Sequence, residues 1–541
     1  MGPVQFSVAD VHEAIAATRP DDVCLVHRDR RLTWAELTDR TRRLANHLIE
    51  QGLGCHTERG QLQGHESGQD HLAIYLHNGT EYLEAMLGSF KARVAPFNVN
   101  YRYVAEELHY LLTDSQATAI VVHSQFTPTL AEVLPDLPRL RVILQVPDES
   151  GLPLLPGAVW YEDALAAASP SRPAVQWSPD DLYILYTGGT TGMPKGVLWR
   201  NADANVECFG GSKAETMDAI VAEATGGLKA LLAPPFMHGA GHWMSFRAWN
   251  TGGTVFVQQH TDHLDPDDIW SMIEREQLNF LLIVGDAFGR PLLDQLDRRS
   301  YDLSSLTVLL SGGAALSAGL KEQFLQHLPT LMIVDGLGSS EAGGQLSHVS
   351  AGAGATTGTF PISPGNHVLS DDLTSELAAG DPELGWLAKS GRLALGYLGD
   401  PAKTSRTYPV VAGVRYAVPG DRARLRLDGI IELHGRDSVT INSGGEKIFA
   451  EEVEAALAGH PDVMDVVVCG RPSERWGNEV VAVVQLREGA DVTTDALEAE
   501  AERHVARYKL PKAYVFCEQI QRSPSGKADY RWAKAQALDE S

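Results

Sequence analysis

Between Tyr183 and Trp199 the chain reads YILYTGGTTGMPKGVLW. An apolar run stops in glycines, the hydroxyls of Thr187, Thr190 and Thr191, and a single cation, Lys195. Backbone N–H groups and hydroxyls at that density suit phosphate oxygens, and a lysine suits their charge. The spacing is not that of the common nucleotide loops. A Walker loop needs G-x-x-x-x-G-K followed by Ser or Thr. Here Gly188 to Gly192 is one residue short, Met193 and Pro194 intervene, and Gly196 follows Lys195. The G-x-G-x-x-G spacing of dinucleotide folds is also absent from this loop. The stretch points to phosphate handled by some other chemistry.

Four further segments carry groups of a suitable kind. PPFMHGAGHW holds Phe236 and His238, and DGLGSSEAGG holds Asp335 and Glu341. YAVPGDRARLRLDGIIELHGRDS holds Asp421 and Arg436, and SPSGKADY holds Lys527. Taken singly, each has an ordinary reading: a packed histidine, a turn aspartate after Pro-Gly, a solvated tail lysine. Taken in this order behind YTGGTTGMPKGV, they resemble the signatures of the adenylate-forming superfamily. That superfamily includes acyl-CoA synthetases, peptide-synthetase adenylation domains and firefly-type luciferases. The resemblance covers roughly residues 30 to 532. It implies activation of a carboxylate by ATP, which brings two anions together and needs fixed donors and cations to offset their repulsion.

The resemblance implies a role for each position. Thr187, Gly188, Gly189, Thr190, Thr191 and Gly192 would hold the β- and γ-phosphates on a mobile loop, with Lys195 as counter-charge. Gly312, Gly313 and Ala314 resemble the backbone that packs one adenine face. Asp335, Gly336, Leu337, Gly338, Ser339 and Ser340 correspond to the segment beside the other face. Leu337 stands where an aromatic ring commonly stacks, and Ser340 replaces the usual threonine while keeping its hydroxyl. Glu341 resembles the magnesium ligand, a hard oxygen donor for a hard cation. Asp421 would accept from both ribose hydroxyls, with Arg436 assisting. Lys527 would bridge the attacking carboxylate and the α-phosphate, and His238 would close the acyl pocket on the carboxylate. After adenylation the small domain is expected to rotate about Asp437. NSGGEKIFAEEVE would then present Gly444, Gly445 and Lys447 to coenzyme A.

The acceptor follows by elimination within the family. Amino-acid adenylation needs an acidic anchor after the Phe of the PPF segment, and Met237 and His238 stand there instead. No carrier-protein domain follows in the sequence, and no feature points to luciferase activity. Thioester formation with coenzyme A remains, so the expected enzyme is an AMP-forming acid–thiol ligase. EYLEAMLGSFKARVAPFNVNYRY, FMHGAGHW and SGGEKIFAEEVE resemble actinobacterial acyl-CoA synthetases, including those acting on steroid side-chain carboxylates. Phe236, Met237, Ala240, Trp243, Ala287 and Phe288 would line a cleft that desolvates a hydrophobic acid. The expected partners are therefore a fatty or steroid side-chain acid, ATP, Mg2+ and CoA. Two alternatives stand beside this reading. One is a catalytically inactive nucleotide-binding module, which the joint presence of Lys527, Glu341, Asp421 and Arg436 opposes. The other is an adenylating enzyme with a different acceptor.

These groups need a frame. Four apolar runs end at glycine loops: DLYILYTGGTTG, FLLIVGDAFG, LTVLLSGGAAL and LMIVDGLGSSEAGG. Short unalternating runs read as strands buried on both faces. With the helical patterns PDDIWSMIEREQL and AGLKEQFLQHL between them, they predict a doubly wound α/β architecture whose ligands gather at the strand ends. Thr33 and Glu36 form a capping box ahead of a helix that places Leu37, Leu44 and Leu48 on one face. Residues 54–70 are polar and glycine-rich, hence a surface loop, and its two histidines are not read as a metal site. After residue 436 a small α+β pattern begins: EEVEAALAGH and DALEAEAERHVARY as helices, VMDVVVCG and EVVAVVQLREG as strands. The expected division is 1–436, a large adenylating domain, and 437–541, a small mobile one.

Composition agrees with that class. The 541 residues exceed one ordinary core. The formal charge of −25, from 45 Lys and Arg against 70 Asp and Glu, argues against a nucleic-acid surface. No apolar run reaches the length of a membrane span, and the N-terminus lacks a secretory pattern. Cys24, Cys55, Cys208, Cys469 and Cys517 are scattered, as for free thiols in a reducing cytoplasm. The resemblance leaves a homodimer open.

Overall fold

Local signals start the first elements. Ser7 and Asp10 close a capping box ahead of the helix Val8–Thr18, and Thr33 and Glu36 close a second ahead of Trp34–Glu50. Leu37, Leu44 and Leu48 of the longer helix are fully buried. Their face packs on the helix Thr80–Ala92, itself buried along nearly its whole length. A Cβ on Gly88 would lie 2.6 Å from Leu44, so glycine there sets how closely the two helices approach. The computed structural model describes residues 5–187, 193–352, 355–443, 446–473, 477–523 and 526–539.

Among the described residues the strands form two eight-stranded sheets, two five-stranded sheets and a two-stranded hairpin. The first large sheet holds Phe280–Ile283, Val308–Gly312 and Met332–Ser339 as parallel neighbours, and Gly343–Ser350 is its antiparallel edge. The second is centred on His71–Tyr75, Ala95–Asn98 and Leu182–Thr187, also parallel. Lys195–Arg200 and Gly396–Tyr397 extend it antiparallel at one edge. The third sheet is antiparallel and includes Asp421–Leu425 and Ile430–Arg436. A new sheet begins at Thr440–Ser443, with Glu446–Phe449, Gly477–Leu486, Val463–Ser473 and Ala513–Cys517. It carries the helices Ala450–Ala458, Thr494–Glu502 and Tyr530–Asp539.

The α/β layering is as expected, with two differences of connection. The four glycine-ended strands do not all belong to one sheet, and only two lead into helices, Gly285–Arg298 and Ala318–His327. Leu182–Thr187 and Met332–Ser339 instead turn back as hairpins. A parallel crossover needs a dozen or more residues. Seven residues after Thr187 and three after Ser339 are too few for one. The second difference is the helix expected through Tyr508, which stops at Glu502. The chain tightens there so that Val505 and Leu510 join Leu497 and Ala501 in one core.

The polar loop 54–70 lies on the second sheet, where Gly399 N donates to His65 O at 2.8 Å. No helix among the described residues is long and apolar enough to cross a membrane, and the five cysteines are free thiols.

Candidate active site

The phosphate-type loop is framed by two strands, and its ends face each other, Thr187 opposite Lys195. Gly188, Gly189, Thr190, Thr191 and Gly192 lie outside the described residues. Lys195 Nζ donates to Asp114 Oδ1 at 2.9 Å. Burial works against its charge, but the hydrogen bonds to Asp114 and Tyr110 outweigh it and raise the ammonium above the usual lysine range.

Gly312, the last residue of its strand, pairs with Gly336 inside the neighbouring parallel strand. Gly313 follows with φ +89°, a backbone conformation that favours glycine, and a Cβ there would lie 3.7 Å from Lys527 Cε. Lys527 is thus brought from the C-terminal sheet region to the strand ends of the large domain. The turn behind it seats Gly526 against Ala287 and Phe288, at 3.4 Å from where its Cβ would be. The Lys527 residue is exposed, yet the protein packed around it lowers its ammonium to about 8. The Arg436 charge adds to that shift, while Glu341 and Asp421 oppose it. Four groups from three separate segments therefore share one electrostatic neighbourhood.

Each of them is positioned by its own elements. Asp421 and Arg436 face each other across two antiparallel strands, with Arg436 Nε 3.2 Å from Asp421 Oδ1. Glu341 sits in the hairpin turn after Ser339. Tyr397 OH donates to its Oε1 at 2.7 Å, and Tyr408 OH to its backbone oxygen at 3.2 Å. Ser339 Oγ accepts from Ala342 N, and Trp199 Nε1 donates to Ser340 O. Buried Lys389 completes the turn, donating to Ala342 O, Gly344 O and Glu207 Oε2 at 3.0, 2.5 and 2.6 Å. Gly338 is required for closeness: its Cβ would stand 2.7 Å from Gly343 O.

The two histidines of PPFMHGAGHW have opposite environments. His242 has both ring nitrogens engaged, Nδ1 with Phe236 O at 2.6 Å and Nε2 with Tyr183 OH at 2.5 Å. Tyr183 OH also accepts from Trp243 Nε1 at 2.8 Å, so one relay fixes the start of the helix Gly239–Asn250. His238 is the N-cap residue of that helix, and its Nε2 is enclosed without a hydrogen-bond partner among the described residues. Burial, then the charge of Lys527, lowers it to about 3, so it is a neutral imidazole at physiological pH. A buried nitrogen of that kind is costly unless a ligand meets it.

Other expected positions differ. The Asp335 carboxylate is engaged by Lys321, a fully buried lysine that also donates to Thr356 O and Thr357 Oγ1. Burial raises Asp335, and Lys321 opposes that. Leu337 is half-buried against the core of the antiparallel sheet. Phe236 is fully buried, edge-on to Tyr82 at 5.6 Å, and Met237 is buried too, so both serve the core. Trp243, Ala240 and Ala287 remain half-buried. Gly444 and Gly445 lie outside the described residues, as does the side chain of Lys447. Asp114, Tyr397, Lys389 and His242 were not anticipated; none stands in a motif that marks its partner.

The chain matches the AMP-binding enzyme family over residues 12–398 and the AMP-binding enzyme C-terminal domain over residues 452–527. It is 55% identical to the medium-chain acyl-CoA ligase Mig of Mycobacterium avium, over 99% of this chain and 98% of that one. It is 41% identical to a medium/long-chain-fatty-acid–CoA/3-oxocholest-4-en-26-oate–CoA ligase of Mycolicibacterium smegmatis, over 98% and 96%. Its fold is similar to that of the anthranilate CoA ligase AuaEII in complex with anthranoyl-AMP. The TM-score is 0.83 at 20% identity, over 99% of this chain and 98% of that one.

Proposed function

The chain belongs to the AMP-binding enzyme family, and from that premise we propose that it is an ATP-dependent acyl-CoA synthetase for hydrophobic carboxylic acids. The observation that carries the reading is the convergence of Arg436, Glu341 and Asp421 on Lys527, which lies against Gly313 at a strand end, while Lys195 stands opposite Thr187 on its own pair of strands. In the first half-reaction the acid carboxylate attacks the α-phosphorus of ATP, and pyrophosphate leaves. Lys527 offsets the charge on the attacking and phosphoryl oxygens, and Lys195 that on the departing phosphates. Asp421 and Arg436 hold the ribose. The unpartnered Nε2 of neutral His238 meets the acid. A carboxylate oriented by a tyrosine hydroxyl suits Mg2+, and Glu341 would hold it there to neutralise polyphosphate charge. In the second half-reaction the CoA thiol displaces AMP from the acyl-adenylate, with Gly444, Gly445 and Lys447 on the incoming face.

The division at 436/437 and a cytoplasmic location belong to the same proposal. So does the acid itself, a medium- or long-chain fatty acid or a steroid side-chain acid, for which the named activities of the relatives give support. Pyrophosphate release, screened over fatty, aryl and steroid carboxylates with and without CoA, tests it. The expected result is release with a hydrophobic acid and thioester only when CoA is added. No release with any acid overturns the reading.

A further inference from the structure

Lys195 and Tyr186 stand on the two facing strands that frame the phosphate loop, and both reach one carboxylate. Asp114 Oδ1 accepts from Lys195 Nζ at 2.9 Å, and Oδ2 accepts from Tyr186 OH at 2.9 Å. Tyr110, one helical turn before Asp114, shares its hydroxyl hydrogen between Asp114 Oδ1 at 3.3 Å and Pro194 O at 3.2 Å. Asp114 thereby ties the incoming stem, the outgoing stem and the backbone just before Lys195. The ring of Tyr186 crosses the neighbouring strand to do this, and a Cβ on Gly196 would lie 2.8 Å from it. That contact gives a reason for glycine immediately after the lysine.

Helix stability does not explain the aspartate. It closes the helix Ala105–Asp114, where a carboxylate opposes the helix dipole. The Asp114 side chain is 16% exposed and that of Lys195 26%, so the pair is partly shielded from water. An ammonium has three donors, and among the described residues Asp114 and Tyr110 engage two of them. The lysine is held on a fixed stem with a donor left for a ligand.

We propose that Asp114 is a positioning residue for the nucleotide, fastening both stems of the phosphate loop and presenting Lys195 to the phosphates of ATP. This rests on the acyl-CoA synthetase reading. Without Asp114 the flexible lysine stem must be ordered at the moment of binding, which costs affinity for ATP and leaves the acid and CoA sites unaffected.

The test measures KM separately for ATP, acid and CoA in Asp114→Ala, Asp114→Asn and Tyr186→Phe. It adds equilibrium binding of a non-hydrolysable ATP analogue and thermal melting. Asp114→Ala is expected to raise the ATP KM about tenfold, in the range for losing a hydrogen bond to a charged group, with the other two KM values within about twofold. Asp114→Asn keeps an acceptor for Tyr186 and recovers part of the loss. Tyr186→Phe removes one hydroxyl and weakens ATP binding alone by less. Combining Asp114→Ala with Lys195→Met should cost less than the sum of the two. An unchanged or lowered ATP KM overturns the proposal, the latter making Asp114 a competitor for the lysine. Equal movement of all three KM values with a lower melting temperature also overturns it, leaving a purely structural role. Wild-type protein that binds the analogue but turns over no acid defeats the functional reading, while the Asp114 series still decides this one by affinity.

Discussion

Two lysines carry the positive charge of the proposed site, and their surroundings differ. Lys195 grows from a strand of the large domain, hydrogen-bonded to Asp114, and its ammonium is raised above the ordinary range. Lys527 arrives on a turn of the C-terminal region, exposed, and its ammonium is lowered to about 8. A counter-charge for phosphate must be charged at every working pH and need not move, which a paired, anchored lysine achieves. A lysine that bridges reacting oxygens must be free to donate to them, and one that leaves afterwards gains from lacking a fixed partner. On the proposed reading, the contrast separates binding from chemistry.

The sharpest way to break that contrast is to remove Lys527. Lys527→Ala should lower adenylate formation by about 10²-fold or more, the scale for loss of a transition-state donor, while thioester formation from supplied acyl-adenylate stays near wild type. Equal loss in both half-reactions would make the two lysines alike. The second test is pH. On the proposed reading Lys527 acts as an ammonium, so with its value lowered to about 8 in the free enzyme, kcat/KM for adenylation should hold below that pH and fall about tenfold per unit above it. Lys527→Arg should move the limb to higher pH, whereas Asp114→Asn should leave it in place. A limb that shifts with Asp114→Asn would assign it to Lys195.

The histidine pair gives a smaller effect of the same kind. His242→Ala strands Tyr183 OH and Phe236 O in the core, which should cost about 1–3 kcal/mol of stability in denaturant unfolding. His238→Ala removes a nitrogen with no internal partner, so it should leave the melting transition in place and raise the KM for the acid. Reversed outcomes would exchange the roles assigned to the two rings.

The groups proposed to react are legible in the sequence and the residues that hold them are not, for a physical reason. Glycines, threonines and lysines around a phosphate must sit close together on one loop, so their spacing is a linear signal. Asp114 lies 81 residues from Lys195, and Tyr397 lies 56 from Glu341; only the sheet brings them together. Asp335 shows the converse. Its place in DGLGSSEAGG suggested ligand contact, but Lys321, fourteen residues earlier, takes its carboxylate. Local signals served the fold well where they were used, as at Thr33 and Glu36. Ser7 and Asp10 form the same capping box, with an aspartate where the usual sequence pattern has Glu or Gln. The hairpin returns after Thr187 and Ser339 were legible in principle, since the intervening segments are too short to hold a helix.

The smallest expected effect concerns how the two regions are held together. Arg487, just after the strand Gly477–Leu486, places Nη1 3.2 Å from Asp294 Oδ1 on the helix Gly285–Arg298. The turn ahead of Lys527 packs against the first residues of that helix, so the ion pair and the turn share one support. Both side chains are about one-third exposed, which limits such a pair to about 0.2–1 kcal/mol. If Lys527 visits the cleft only for adenylation, the pair biases the molecule toward that arrangement by the same small amount. Arg487→Ala should then slow adenylation about two- to fivefold and leave thioester formation from supplied acyl-adenylate equal or faster. Raised ionic strength should reproduce the shift in the wild type and not in the variant. A uniform loss in both half-reactions would mean that the contact only stabilises the fold, and that the position of Lys527 is set by the packing of Gly526 alone.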